Sequence, residues 1–314
     1  MPVYFAIFLF CLGILIIAKG SDVFVEASVK VSDITGVSRA VIGATLVSFA
    51  TTSPEFFVST LAVAKGYNDL SVGNAVGSLS ANIGIAFALS AFFTPGPVND
   101  NRFGLKGLIM ISSAAFLFLF CINGKLSRIE GAILFFVFAV SVYVNIRISK
   151  NKEEIIERQK TNRREIVTVI LKFSLGAAAV LIGSKLITDN GKFLASYWGV
   201  PDAIIGLTVV AIGTSLPEIV TSVTAIIKKQ SALAIGNVFG ANILDSTLIL
   251  ATGAFISGGN LPVSRITVTT DLPVVLILSA AAVIPAVIAK KTYRFQGVLI
   301  MAAYISYLVY ITLF

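Results

Sequence analysis

Residues 213–218 read Gly-Thr-Ser-Leu-Pro-Glu, and residues 50–55, 163 positions earlier, read Ala-Thr-Thr-Ser-Pro-Glu. Both stretches lie inside apolar runs, so each puts a glutamate at mid-membrane depth, where a charge costs about 2.5–3.5 kcal/mol on insertion scales. A chain that carries this cost twice, at matched positions, needs a neutralising partner. The simplest one is a cation.

The match spreads outward from these motifs. At the constant offset of 163, positions 41–77 and 204–240 share fourteen identities in 37, among them Gly43, Thr51, Pro54, Glu55, Ser59, Lys65, Gly73, Asn74 and Gly77. Apolar composition can align Val with Val by chance. It does not align Pro-Glu, Gly-Asn and a further Gly in one register, so the chain reads as an internal duplication.

At 56% hydrophobic and 13% charged residues over 314 positions, the sequence belongs with polytopic membrane proteins. Ten apolar spans are expected at 3–28, 38–65, 70–94, 103–122, 129–148, 165–189, 201–227, 232–257, 268–289 and 295–314. Most are near the roughly 20 residues that cross a bilayer. The expected fold is an all-α membrane protein of ten transmembrane helices, arranged as two inverted five-helix repeats. An odd number of spans per half makes the second half enter from the opposite side, a mark of secondary transporters whose ion sites lie where the halves meet. The first repeat is placed at 1–148 with its motif at 43–93, a linker at 149–164, and the second repeat at 165–314 with its motif at 206–256.

The first span has no basic residue ahead of it, and its Gly20-Ser21 recurs as Gly183-Ser184, so it reads as a mature helix rather than a leader. With the linker cytoplasmic, sixteen Lys and Arg fall inside and six outside, which puts both termini outside. The expected location is a prokaryotic cell membrane. The net charge of +8 follows from basic loops near anionic lipid and implies no nucleic-acid partner; no protein partner is implied either. Absence of histidine excludes imidazole zinc sites and histidine general bases, and no nucleophile–base set accompanies Glu218 and Asp245, so an enzyme is not expected. Cys11 and Cys121 read as free thiols in apolar stretches. No cofactor is expected.

Pro54 and Pro217 lack an N–H and clash with the carbonyls of Ala50 and Gly213, so the second and seventh helices should bend there and release carbonyl oxygens. Thr51, Thr52 and Glu55 share a helical face with Ser48 and Ser59; Thr214, Ser215 and Glu218 repeat the pattern. On the third and eighth spans, Asn74, Ser78 and Asn82 recur at intervals of four, as do Asn237, Ala241 and Asp245. Asn74 and Asn237 read as structural, Asn82 and Asp245 as site residues. Asp22, Glu26, Lys185, Asp189 and Lys192 are expected near helix ends, with their charges snorkelling to the interface.

Two glutamates offer four oxygens, and two carbonyls bring the set to about six, within the ~6–8 hard ligands calcium takes. No sulfur or imidazole is present for copper, zinc or iron, and magnesium sheds its water too reluctantly. The hydroxyls of Thr51, Thr52, Ser78, Thr214 and Ser215 suit sodium, so the two ions could compete for one cluster.

At these residues the sequence resembles the sodium/calcium exchangers of the cation/calcium antiporter superfamily, prokaryotic type with two alpha repeats. Gly-Thr-Ser-Leu-Pro-Glu followed by Gly-Asn-Val-Phe-Gly-Ala-Asn-Ile-Leu-Asp at 236–245, and Gly-Asn-Ala-Val-Gly-Ser-Leu-Ser-Ala-Asn at 73–82, are close to the family's paired motifs. The resemblance implies a centre of Glu55, Asn82, Glu218 and Asp245, with calcium on the two glutamates and the carbonyls of Thr51 and Thr214. It implies flanking sodium sites: the Ala211 carbonyl with Thr214, Ser215, Ser78 and Glu218, and the Ser48 carbonyl with Thr51, Thr52 and Glu55. Two positions depart from the pattern. Ala241 stands where relatives carry a serine hydroxyl, and Ser48 replaces a small apolar residue.

The function so implied is a secondary-active antiporter exchanging calcium for sodium by alternating access at a midplane carboxylate site. Proton-coupled or potassium-dependent calcium exchange on the same fold is the alternative, and a passive cation channel a more distant one. The short linker, with Glu154 and Arg158 spaced as a helical pair, leaves no room for an inserted calcium-sensing domain.

Overall fold

A computed structural model describes residues 2–98, 101–149, 161–200 and 211–313. The described residues are mainly helical, which satisfies backbone groups that find no water in lipid. In chain order the helices are α1 (Val3–Thr35), α2 (Arg39–Thr51), α3 (Ser53–Ala64), α4 (Asn68–Phe93), α5 (Asn101–Cys121), α6 (Arg128–Ser149), α7 (Arg163–Tyr197), α8 (Ala211–Thr214), α9 (Leu216–Ile227), α10 (Ser231–Ile256), α11 (Thr267–Ala289) and α12 (Arg294–Leu313). Eight are long and apolar enough to span a membrane, and the bent pair α2–α3 makes a ninth. The expected seventh span, 201–227, begins outside the described residues; α8 and the short apolar α9 are its described part. Residues 150–160, with the Glu154–Arg158 spacing, also lie outside them.

Two helices exceed their expected bounds. α1 runs 33 residues and α7 35, so Asp22, Glu26, Lys185 and Asp189 sit well inside continuous helices rather than near their ends. Part of the expected snorkelling is replaced by pairing: Lys228 reaches Glu26 at 2.8 Å and Asp22 at 3.4 Å, while Lys185 bridges Asp189 at 3.2 Å along α7. α1 ends in the left-handed Gly36, φ 73°, whose N–H returns to the Ser32 carbonyl.

α1 and α7 cross through small residues. A Cβ on Gly183 would lie 2.6 Å from the Ile17 nitrogen, one on Gly20 2.6 Å from Ala179 Cβ, and one on Gly176 2.7 Å from the Phe24 nitrogen. As numbers rise along α1 they fall along α7, so the pair is antiparallel. Close backbone approach of this kind replaces the hydrophobic drive that lipid does not provide. α2 packs equally tightly on α10, where a Cβ on Gly43 or Gly236 would come within 2.3 Å of the carbonyl oxygens of Leu233 or Ala40.

At one end of α5, β1 (Lys125–Ser127) pairs antiparallel with β2 (Asn260–Pro262), Leu126 opposite Leu261. At its other end Pro97 bridges to Lys291, with the Val98 N–H on the Lys290 carbonyl at 2.8 Å. Three apolar clusters fill the space between. One of them includes Phe87 stacked on Phe239, ring centroids 6.1 Å apart.

Candidate functional site

The two Pro-Glu motifs break their helices at matched residues. Thr52 (φ −80°, ψ −2°) separates α2 from α3 with a bend of 46°, and Ser215 (φ −83°, ψ 2°) separates α8 from α9. Each proline then occupies the first turn of the new helix, where its missing N–H costs nothing. Glu55 and Glu218 fall in those same first turns, at the end whose partial positive charge favours a carboxylate. The break thus does more than release carbonyls: it gives each buried acid a helix N-terminus.

α4 and α10 supply the opposing face. Each is continuous but widens into a π-helical turn, Asn82–Phe87 in α4 and Leu244–Ile249 in α10, at Asn82 and Asp245. Such insertions shift the side chains that follow and cluster at functional sites. Asn82 Nδ2 donates to Asp245 Oδ2 at 3.4 Å, and Asn242 Nδ2 to the Leu79 carbonyl at 3.1 Å.

Two amides brace the glutamates from behind. Asn74 Nδ2 donates to the Glu55 carbonyl (3.5 Å) and Ser59 Oγ (3.0 Å); Asn237 Nδ2 donates to the Glu218 carbonyl (3.3 Å) and Ser222 Oγ (3.1 Å). Thr51 Oγ1 donates to Asn237 Oδ1 at 3.4 Å, and Thr52 Oγ1 to Glu218 Oε1 at 2.8 Å, tying the first motif to the second.

Ser48, Thr51, Thr52, Glu55, Ser78, Asn82, Ser215, Glu218 and Asp245 are all buried to 97% or more. Thr214 is half-buried, and Ala211 is the first described residue of α8. Both Glu55 carboxylate oxygens, Glu218 Oε2, Asp245 Oδ1, Asn82 Oδ1, and the Ser78 and Ser215 hydroxyls have no protein hydrogen-bond partner. Glu55 lies in electrostatic range of Glu218 and Asp245, and no described Lys or Arg forms a salt bridge with any of the three. Buried carboxylates so disposed repel one another and have lost their hydration. Among the described residues no three His, Cys, Asp or Glu side chains converge as a metal group. A cation held here must therefore draw on hydroxyl, amide and carbonyl oxygens beside the carboxylates.

Some expected details differ. The break at Thr52 interrupts the single face expected for Ser48 through Ser59, and Ser59 turns to Asn74. The Gly213 carbonyl, expected to be released by the proline bend, accepts from Ser184 Oγ at 3.0 Å. Ser48 Oγ donates to the Thr45 carbonyl at 3.2 Å and faces Gly240, whose Cβ would meet it at 2.5 Å. The part played by Ser184 was not expected, although the recurrence of Gly-Ser at 20–21 and 183–184 marked it.

The family model described as sodium/calcium exchanger protein matches residues 5–147 and 168–313. The chain belongs to the sodium/calcium exchanger family. Among relatives of this exchanger-family chain, the sodium/calcium exchanger MaX1 of Methanosarcina acetivorans is 31% identical over 345 residues, covering 95% of this chain and 96% of its own. An uncharacterised membrane protein of Methanocaldococcus jannaschii, MJ0091, is 33% identical over 94% of each chain. A solved structure of the sodium-calcium exchanger NCX_Mj, soaked with Na+ and Ca2+, superposes with a TM-score of 0.85 at 30% identity, covering 97% of each chain. This exchanger-family chain is accordingly a multi-pass integral membrane protein of an ion-antiporter family.

Proposed function

We propose that the chain exchanges calcium for sodium across a cell membrane by alternating access, at a midplane site shared by two inverted five-helix repeats. The observation that carries this reading is the pairing of Glu55 and Glu218, each buried at a helix N-terminus, within electrostatic range of the other, and with three carboxylate oxygens between them that lack a protein partner. Calcium, with two charges, balances two carboxylates; sodium balances one and completes its shell with hydroxyls. Each ion set neutralises the acids that the other leaves bare, which makes empty transit unfavourable and couples the two fluxes.

Calcium is assigned to Glu55, Glu218 and the carbonyls of Thr51 and Thr214, with Asn82 and Asp245 beside them. One sodium site takes the Ala211 carbonyl, Thr214, Ser215, Ser78 and Glu218. The other takes the Ser48 carbonyl, Thr51, Thr52 and Glu55. At this second site Ala241 is fully buried and brings no hydroxyl. The Ser48 hydroxyl, facing Gly240, is the group placed to substitute.

Repeat inversion is supported by three features. Gly13 and Gly20 of α1 correspond by the 163-residue offset to Gly176 and Gly183 of α7, yet the two helices run antiparallel. The β1–β2 pairing and the Pro97–Lys291 bridge join nearly equivalent loops at opposite ends of α5. Asn82 touches Asp245, its own counterpart. The expected orientation, both termini outside, places Lys228 on the cytoplasmic face.

The test is calcium flux in reconstituted vesicles under separately imposed sodium, potassium and proton gradients. Uptake driven by outward sodium alone supports the reading. Uptake driven only by a pH step would replace sodium with protons, and uptake without any counter-ion would make the protein a channel.

A further inference from the structure

The two halves hold α1 and α7 differently, and the difference is written in the sequence. On α1, Ser21 Oγ shares a buried 2.8 Å hydrogen bond with Thr224 Oγ1 of α9, and Lys228 just past α9 reaches Glu26 at 2.8 Å and Asp22 at 3.4 Å. The hydrogen bond with Glu26 raises the lysine pKa. On α7 the equivalent Ser184 donates instead to the Gly213 carbonyl at the helix break.

Mapping the clamp through the offset of 163 gives its counterpart. Ser21–Thr224 becomes Ser184–Leu61, which has no second hydroxyl. Lys228–Asp22 becomes Lys65–Lys185, a like-charged pair. Lys228–Glu26 becomes Lys65–Asp189, of opposite charge, but Asp189 is already held by Lys185 at 3.2 Å. Lys65 itself is exposed and forms no ion pair among the described residues.

We infer that Lys228, Asp22, Glu26 and the Ser21–Thr224 hydrogen bond form a latch that biases the transporter toward the conformation closed on the Lys228 side, and that Lys65–Asp189 is its weaker counterpart in the opposite conformation. This rests on the inverted-repeat reading, under which exchange of the two repeat conformations interconverts the two access states. In the opposite state Ser21 turns to the Ala50 carbonyl, as Ser184 now turns to Gly213. The latch costs the protein nothing in ion ligands. It sets which side waits open for the next ion.

Exposed ion pairs contribute little individually, so the bias is modest and screened by salt. A Cys11→Ser background leaves buried Cys121 as the sole native thiol. Lys65→Cys and Asp189→Cys are added, and their closure by a short bis-maleimide is timed in vesicles with equal, saturating sodium on both sides, where the loaded carrier interconverts. Lys228→Gln should accelerate crosslinking by roughly threefold to tenfold, the range a pair or two of this kind can supply. Lys228→Glu should accelerate it further, and adding Glu26→Lys should bring the rate back down. Lys229→Gln, the neighbouring lysine, should leave it unchanged. Should Lys228→Gln not fold, Glu26→Gln removes the same contact from its exposed end.

No crosslinking in any background, or a rate indifferent to Lys228, overturns the latch. Sodium-driven calcium uptake, measured in the same vesicles without the crosslinker, keeps the two ideas apart. Uptake intact with indifferent crosslinking sinks the latch alone, whereas no uptake by the unsubstituted chain sinks the exchange reading.

Discussion

Asn82 and Asp245 occupy the same position of the two sequence repeats, 163 residues apart, and Asn82 Nδ2 donates to Asp245 Oδ2 at 3.4 Å. A residue can touch its own counterpart only beside the axis that relates the two copies. The same offset joins Asn242 to the Leu79 carbonyl one turn away. Under the proposed inverted-repeat reading, the pair marks where the copies meet.

Full burial makes Asp245 a sensitive site for charge. Its Oδ1 is buried without a protein partner, and Glu218 and Glu55 lie within electrostatic range. Asp245→Asn should raise the melting temperature of the ion-free protein in detergent, by a stability change on the order of 1–3 kcal/mol, because it removes one of three buried charges. Asn82→Asp should lower it. Thermal scans with and without calcium check both, and calcium should narrow the gap.

Two equivalent glycines should respond in opposite ways to one methyl. A Cβ on Gly236 would lie 2.3 Å from the Ala40 carbonyl oxygen, while one on Gly73 meets nothing within 4 Å. Gly236→Ala should destabilise the protein by about 1–3 kcal/mol through forced separation of α2 and α10. Gly73→Ala should be neutral or slightly stabilising, by up to about 1 kcal/mol, since it sits within a helix. Detergent melting of the two single variants makes the comparison.

Ser184→Ala should leave the Gly213 carbonyl without its hydroxyl donor. The expected cost is about 1–2 kcal/mol for a buried acceptor, with Ser184→Thr retaining most of the stability. The same melting assay reads it.

Much of the fold was legible because lipid enforces simple rules. A run of some twenty apolar residues must be a helix, and Pro-Glu twice at one offset fixes both the breaks and the acids. The exact reach of α1 and α7 was not legible: Asp22, Glu26, Lys185 and Asp189 read as charges near helix ends, whereas both helices continue past them. Nor did the proline clash reveal which carbonyl finds a donor, since Ser184 arrives from another helix. The π-helical turn at Leu244 carries no proline or glycine, and the one at Asn82 carries only Gly84, which does not by itself announce an insertion. Asn74 and Asn237 were legible as braces, but only the folded chain identifies the glutamate carbonyls as what they hold.

Thr52 Oγ1 donates to Glu218 Oε1 at 2.8 Å, across the two motifs. Thr52→Val should weaken sodium activation of exchange more than calcium KM, because sodium leans on neutral oxygens where calcium leans on carboxylates. Initial rates over a sodium titration at fixed calcium, then the reverse, give the two constants.

The most direct measurement is radiolabelled calcium uptake into sodium-loaded vesicles by Glu55→Gln and Glu218→Gln, each compared with the unsubstituted chain. Gln keeps the shape and removes the charge, so both variants should fold normally and lose sodium-driven calcium uptake by at least about tenfold, the effect of losing a charge-assisted ligand. Uptake at the unsubstituted rate by both variants would contradict the assignment of the paired glutamates as the exchange site.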